Sequence, residues 1–503
     1  MSEVYEVSGP FLKQREDMQL TTDLMGGTQA MKRARGKYIP KAEGETASEY
    51  DQRVNRTVLY NAYRKTVRFL RGQVFQKPVS IPEAKEGENV TVTELEEYKA
   101  LSEDVDKQGH NLTVWGAEAF EAGINAGVTF CLIDYSHVKT RETEEGVREF
   151  LDDDDLWKPF TKAVEEEKAW SPYFVHVKAQ QVVDIHTRWN NGRLFVTHFR
   201  YVETIQLSDD DWTQAEAEQI RCFWPGWFET WRNTGVGQED FSLVDEGEMR
   251  DVRGVPLPLI PLVWFMPGEK RTEVTAEPAL QDLAELNKRH WQATSDQYDL
   301  MEFVRRPPWL GKMLSNGDQE PIVFGPGVLT NSNTPEADLV SRGIDAGSVA
   351  AGRQELQDIE SQMAMYGLQL LQPKTGTITA TEAARDQMES NSTLQGWALL
   401  FQDFLENSFK MVALWLGRED GPSVVVNTDF ATPVDKDFLL QMYNAGAISQ
   451  ATLIEQVKKA GDLPDDLSVE EEVTRQAQEL SANRGPSGSD MFGSLLSSTG
   501  ATS

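Results

Sequence analysis

Cysteine is nearly absent: Cys131 and Cys222 are the only two in 503 residues, too few for a disulfide framework or a thiolate metal site. Their contexts, "TFCLID" and "RCFWPG", are apolar, so both are expected to be buried and reduced. The six histidines are scattered without an HxxxH or HExxH pair, which leaves metal catalysis without a ligand set. A Walker loop, a GxSxG elbow, a GxGxxG after a strand and a CxxC pair are all missing. No catalytic residue, cofactor or metal is expected, and an enzyme is the less favoured class. Long apolar runs are lacking too. The best, "VPLPLIPLVWFM" at 255–266, is too short and proline-rich to span a bilayer, and the charged N-terminus lacks the apolar stretch of a secretory signal. The expectation is a soluble protein made in a cytoplasm-like compartment, with no membrane partner.

Positive charge is the other deficit. Asp and Glu number 81 against 49 Lys and Arg, for a net charge of −32. The shortage is uneven, since residues 1–80 hold 14 basic against 9 acidic residues and the rest 35 against 72. So acidic a body repels a phosphate backbone, and DNA, if it is a partner, should pass by without being gripped.

What is present reads as an α+β, helix-rich chain. Residues 1–47 suggest an extended arm with a basic cluster at Lys32, Arg33, Arg35 and Lys37. Ser48 is expected to cap a helix running to about Phe75, with Val54, Val58, Val67, Leu70 and Val74 near one face and Arg53, Arg56, Arg64, Arg68 and Arg71 on the other. A second helical stretch over 93–126 leads through Gly127 into the buried-strand pattern "VTFCLIDY". The run "LDDDDLW" lacks the alternation and glycine of a calcium loop and reads as part of an acidic insertion. From 173 to 266 the pattern is strands, with Asn191-Gly192 as a two-residue hairpin turn.

After Pro278 another helix is predicted, with Leu280, Ala284, Asn287, Trp291, Thr294, Tyr298 and Met301 on a 4–3 repeat that reads as a partly polar packing seam. "RRPPW" stops it. A Gly- and Pro-rich β excursion follows, and a helix resumes near Arg353 with Leu356, Ile359 and Met363 on one stripe. Thr379 and Glu382 have capping-box spacing ahead of a helix over about 380–416, roughly 55 Å long at 1.5 Å per residue. Its apolar stripe, Leu394, Ala398, Phe401, Leu405, Val412 and Leu416, occupies only the second half. A short strand, "SVVVNTDF", helices at 434–445, 449–460 and 468–481, and a small polar tail complete the chain.

This order resembles the portal, or head-to-tail connector, proteins of tailed bacteriophages, especially short-tailed ones. The stretches that carry the likeness are "LMGGTQAMKRARGKYIPKAEGETASEYDQRVNRTVLYNAYRKTVRFLRGQVFQKP", "AEPALQDLAELNKRHWQATSDQYD", "TITATEAARDQMESNSTLQ" and "VVNTDF", and with their spacing they cover about residues 20–460. The resemblance implies a ring, usually a dodecamer, at one capsid vertex of a virion, built in the host bacterial cytoplasm. Double-stranded DNA enters and leaves through its channel without sequence recognition. The large terminase subunit docks during packaging and head-tail adaptor or tail proteins afterwards, with major capsid and scaffold proteins as further partners.

Carried onto this chain, the resemblance implies an N-terminal arm at 1–47, an α+β wing at 48–276, a first stem helix at 277–303, a clip at 304–350 and a second stem helix at 351–371. It further implies a tunnel loop and long wing helix at 372–418, a wing strand and crown helices at 419–480, and a tail at 481–503. Lys374, Thr375, Thr377 and Arg385 would lie at the channel. Arg305, Arg306, Trp309 and Lys312 would face terminase or adaptor from the clip. Leu280, Asn287, Trp291, Tyr298, Leu356, Ile359 and Met363 would form the inter-subunit stem seam. The competing expectations are another intracellular scaffold oligomer, without a closed ring, and an acidic metal-dependent hydrolase, with turnover.

Overall fold

A computed structural model describes residues 4–83, 90–135, 140–142, 148–151, 156–159, 170–208, 214–233, 240–305, 309–312, 338–341, 346–366 and 380–428, with isolated positions elsewhere. The chain divides into two units, Met1–Thr428 and Asp429–Ser503. In the second, the expected helix beginning near 449 has a described turn at 451–454, where Ser449 accepts from the Leu453 amide at 3.0 Å. The other helices expected beyond 430, the capping pair at Thr379 and the aspartates 152–155 fall outside the described residues or on isolated positions.

The expected N-terminal arm is folded. Helices α1 (Gly9–Asp17), α2 (Gln19–Met25) and α3 (Gly27–Ala34) follow one another, with Pro10 at the start of α1. Phe11, Leu20, Leu24 and Met31 are buried. The Gln14 side chain donates to Ala126 O at 2.6 Å and accepts from the Ala276 amide at 3.0 Å, which ties α1 to two distant stretches of chain. Glycines and basic residues suggested a loose segment, and four spaced apolar side chains outweigh them.

The helix expected from Ser48 to Phe75 is two helices. α4 (Ala47–Arg56) starts one residue before Ser48, at a capping box between Thr46 and Glu49. It stops at Thr57, which is extended, and α5 (Ala62–Val74) restarts where the Asn61 carboxamide accepts from the Arg64 amide at 2.8 Å. The 93–126 stretch is likewise divided into α6 (Val92–Glu103), capped by Thr91 and Glu94, and α7 (Leu112–Ala126), capped by Asn111. Gly127 ends α7 at φ 84°, where a Cβ would stand 2.5 Å from Glu277 O, so both its backbone and its surroundings require glycine.

β1 (Thr129–Tyr135) is buried throughout. After it come the short strands β2 (Thr140–Glu142), β3 (Arg148–Leu151) and β4 (Trp157–Pro159), which form their own antiparallel sheet. β5 (Pro172–Lys178), β6 (Val182–Asn190), β7 (Arg193–Ser208), β8 (Gln214–Trp224), β9 (Trp227–Asn233), β10 (Phe241–Glu248) and β11 (Leu262–Phe265) follow. β11, β1 and β5 make one antiparallel sheet, and β10 to β6 make a five-stranded meander. Asn191 (φ 49°) and Gly192 (φ 77°) form the expected tight turn between β6 and β7. Asp134 on β1 and Arg221 on β8, both buried, join the two sheets at 2.5 Å. The small pair β12 (Glu269–Lys270) and β13 (Ala276–Glu277) leads to the helix after Pro278.

Three long helices complete the unit: α8 (Gln281–Arg305), α9 (Ala346–Tyr366) and α10 (Ala380–Trp415). Between α8 and α9, β14 (Trp309–Lys312) pairs antiparallel with β15 (Asp338–Ser341). The strand expected at "SVVVNTDF" is reduced to one bridge, Val425 with Ser80. The architecture is α+β, and among the described residues no helix is long and apolar enough to cross a membrane.

Candidate assembly and channel elements

α8 and α9 lie antiparallel, as their contacts show. Arg289 meets Glu355 at 3.3 Å, His290 meets Glu360 at 3.2 Å, and farther along α8 the Gln297 carboxamide donates to Val349 O at 3.3 Å. The Gln297 carboxamide lies over Gly352, in the space that a Cβ there would take. The β14–β15 pair sits in the chain between the far end of α8 and the near end of α9. The described elements here are thus a helix, an antiparallel strand pair and a returning helix.

The near half of α8 is fixed inside the chain. Leu283, Ala284, Asn287, Trp291 and Ser295 are buried. The Asn287 carboxamide accepts from the Tyr63 amide at 2.9 Å and donates to Tyr60 O at 2.8 Å, bridging the start of α5. His290 packs on the Tyr60 ring at 5.3 Å. The far half is attached by ions. Arg53 on α4 reaches Glu45 at 2.8 Å, Asp299 at 3.4 Å and the Ser295 hydroxyl at 3.3 Å, while Arg56 pairs with Asp299 and with Glu302 at 2.5 Å. Hydrogen bonding to Arg53 holds the Glu45 carboxyl at about 2. Burial raises the Asp296 carboxyl, with Asp299 and Glu355 adding to it against Arg53.

α10 is anchored by its second half. Leu394, Ala398, Phe401, Leu405 and Val412 are buried, and Phe401 meets Phe75, Phe120 and Phe265 at centroid distances of 5.7, 5.5 and 5.0 Å. At its end the Trp415 indole donates to Ile133 O and Trp415 O accepts from the Val252 amide, both at 2.9 Å. Gly417 then turns the chain at φ 65°.

The sequence-derived site residues fall out unevenly. Lys374, Thr375, Thr377 and Arg306 lie outside the described residues. Arg385 is within α10, Trp309 and Lys312 begin and end β14 opposite Ser341 and Asp338, and Arg305 closes α8 exposed. Of the seam, Leu280, Asn287, Trp291, Ile359 and Met363 are already buried within one chain, Leu356 is half-buried and Tyr298 is exposed. The surface that α8 and α9 still offer includes Tyr298, Phe303, Val304, Met365 and Tyr366. Sequence reasoning missed the Arg53–Arg56 attachment of α4 to α8, although both arginines stood out as one basic face. Cys131 and Cys222 are free and buried, and burial pushes the Cys222 thiol up to about 12.

Residues 279–416, which run from α8 to the end of α10, match a family described as a domain of unknown function (DUF4055). No curated protein matches. Among solved structures, the chain is similar to one from the neck of an empty GTA particle computed with C6 symmetry, at TM-score 0.38 and 11% identity over 80% of this chain and 90% of that one. It is also similar to a chain from the virion of a native gene transfer agent (GTA) particle, at TM-score 0.36 and 10% identity with the same coverage.

Proposed function

We propose that this chain is the portal subunit of a tailed-phage-like particle, forming a ring, usually of twelve copies, at one capsid vertex. The observation that carries the reading is the order of the described elements from α8 to α10: two antiparallel helices, a two-stranded β pair between them in the chain, then a 36-residue helix whose second half is buried. In this reading α8 and α9 are the stem, the β14–β15 region is the clip, and the segment before α10 is the tunnel loop. Lys374, Thr375, Thr377 and Arg385 face the channel, and Arg305, Arg306, Trp309 and Lys312 face terminase and then adaptor. Exposed apolar side chains on the stem are covered by neighbouring copies, since a ring supplies a partner that one chain lacks. A net charge of −32 per chain suits a channel through which DNA slides, because few phosphates are paired with Lys or Arg. The chain acts by holding and guiding, not by catalysis.

Negative-stain images of the purified protein, alone and co-expressed with the capsid and scaffold proteins of its particle, test the reading. Closed rings with a hole wide enough for duplex DNA are the expected result. Compact monomers or open filaments in both preparations contradict it.

A further inference from the structure

A cleft of about 510 Å³ opens between α4 and the far half of α8, lined by Glu45, Glu49, Gln52, Asp299, Glu302 and Phe303, with Arg56 at one wall. Four carboxylates face the two guanidiniums of Arg53 and Arg56, so the cleft keeps an acidic excess after its internal pairs are made. Phe303 is 54% exposed and adjoins the exposed Val304, so the rim is apolar as well as acidic. The same chain carries the converse surface. Lys65 and Arg68 are exposed one turn apart on α5 and make no ion pair among the described residues. Just ahead of them, in the break between α4 and α5, Val58 and Tyr60 are 58% and 51% exposed. Tyr60 lies against His290, whereas the cleft uses Asp299 and its neighbours.

We propose that the basic face of α5 in one copy of this chain docks in the acidic cleft between α4 and α8 of the next. The contact is heterologous, joining two different patches, and such contacts generate rings when the rotation closes. Charge complementarity selects a second copy as the occupant: Lys65 and Arg68 beside the exposed Val58 and Tyr60 offer a basic and apolar surface that matches the acidic cleft rimmed by Phe303. This deepens the ring reading above and rests on it for closure only.

Two variants test the contact in the full chain: Lys65→Glu with Arg68→Glu on the basic face, and Gln52→Lys with Glu302→Lys in the cleft. Self-association is measured by sedimentation at low and high salt, with circular dichroism melts as the folding control. Each variant alone should associate at least about tenfold more weakly than wild type, and an equimolar mixture should recover it, because reversed faces then meet reversed clefts. Should a reversal unfold the chain, Lys65→Gln with Arg68→Gln replaces it and should weaken association in the same direction. Wild-type rings that persist unchanged in either variant overturn this contact and leave the ring standing. Association lost in each variant and regained in the mixture, but yielding open filaments, supports the contact and overturns the ring. Failure of folded variants to recover on mixing overturns the contact, including the case of a basic partner from another protein, and a wild type that does not self-associate overturns it as well.

Discussion

The two halves of α8 are held in opposite ways. Its first turns place Leu283, Asn287, Trp291 and Ser295 inside the chain, with both ends of the Asn287 carboxamide satisfied by backbone, at Tyr60 just before α5 and at Tyr63 within it. Its last turns expose Tyr298, Phe303 and Val304 and are tied down chiefly by Arg53 and Arg56. α10 shows the same division between a buried second half and a polar first half in the sequence. The difference teaches what each part is for. Buried halves hold the chain together, and the far half of α8 leaves large apolar side chains uncovered, the surface that the proposed ring would use.

The comparison breaks most visibly at the buried end. Trp291→Ala and Phe401→Ala each empty a fully enclosed site and should lower unfolding stability by about 3–5 kcal/mol, read by chemical denaturation. An effect within about 0.5 kcal/mol would mean that these halves are not core. Acid should act next. Burial lowers His176 from 6.5 to about 4 while its Nε2 lies 2.8 Å from the Thr129 hydroxyl, so the folded state holds it neutral. As pH falls below 6.5 the unfolded chain takes the proton first. Stability present above 6.5 is then lost down to about 4, on the order of 3 kcal/mol, and His176→Gln should flatten that part of the pH profile.

Asn287→Ala leaves the buried Tyr63 amide without its side-chain acceptor and should cost about 1–3 kcal/mol, visible as faster amide exchange at Tyr63. Phe303→Ala sharpens the comparison from the other side. Its side chain is more than half exposed, so subunit stability should change by less than about 0.5 kcal/mol while self-association weakens. A large loss of subunit stability there would mean that the far half of α8 is core after all.

Much of this division was readable beforehand. The 4–3 repeat located α8, the late apolar stripe located the anchored half of α10, and Asn191-Gly192 located the hairpin turn. The seam was read as inter-subunit because a repeat of apolar and polar positions does not say whether the partner is in the same chain. Here α5 backbone satisfies Asn287, a contact across more than 200 positions that no local pattern contains. The split of the 48–75 and 93–126 helices was hidden for a related reason. Thr57 and Asn61 end and restart a helix with their own side chains, and the apolar spacing runs on through the break. The folded N-terminus was missed because Gln14, a polar residue, is what ties it to Ala126 and Ala276.

Native mass spectrometry of the purified full-length chain tests the central claim most directly. The account predicts a closed oligomer near twelve subunits in wild type that loosens as salt rises, and weaker association in the α5 charge-reversal variant at low salt, the difference shrinking at high salt. A monomer at every concentration, with or without its capsid and scaffold proteins, would contradict it.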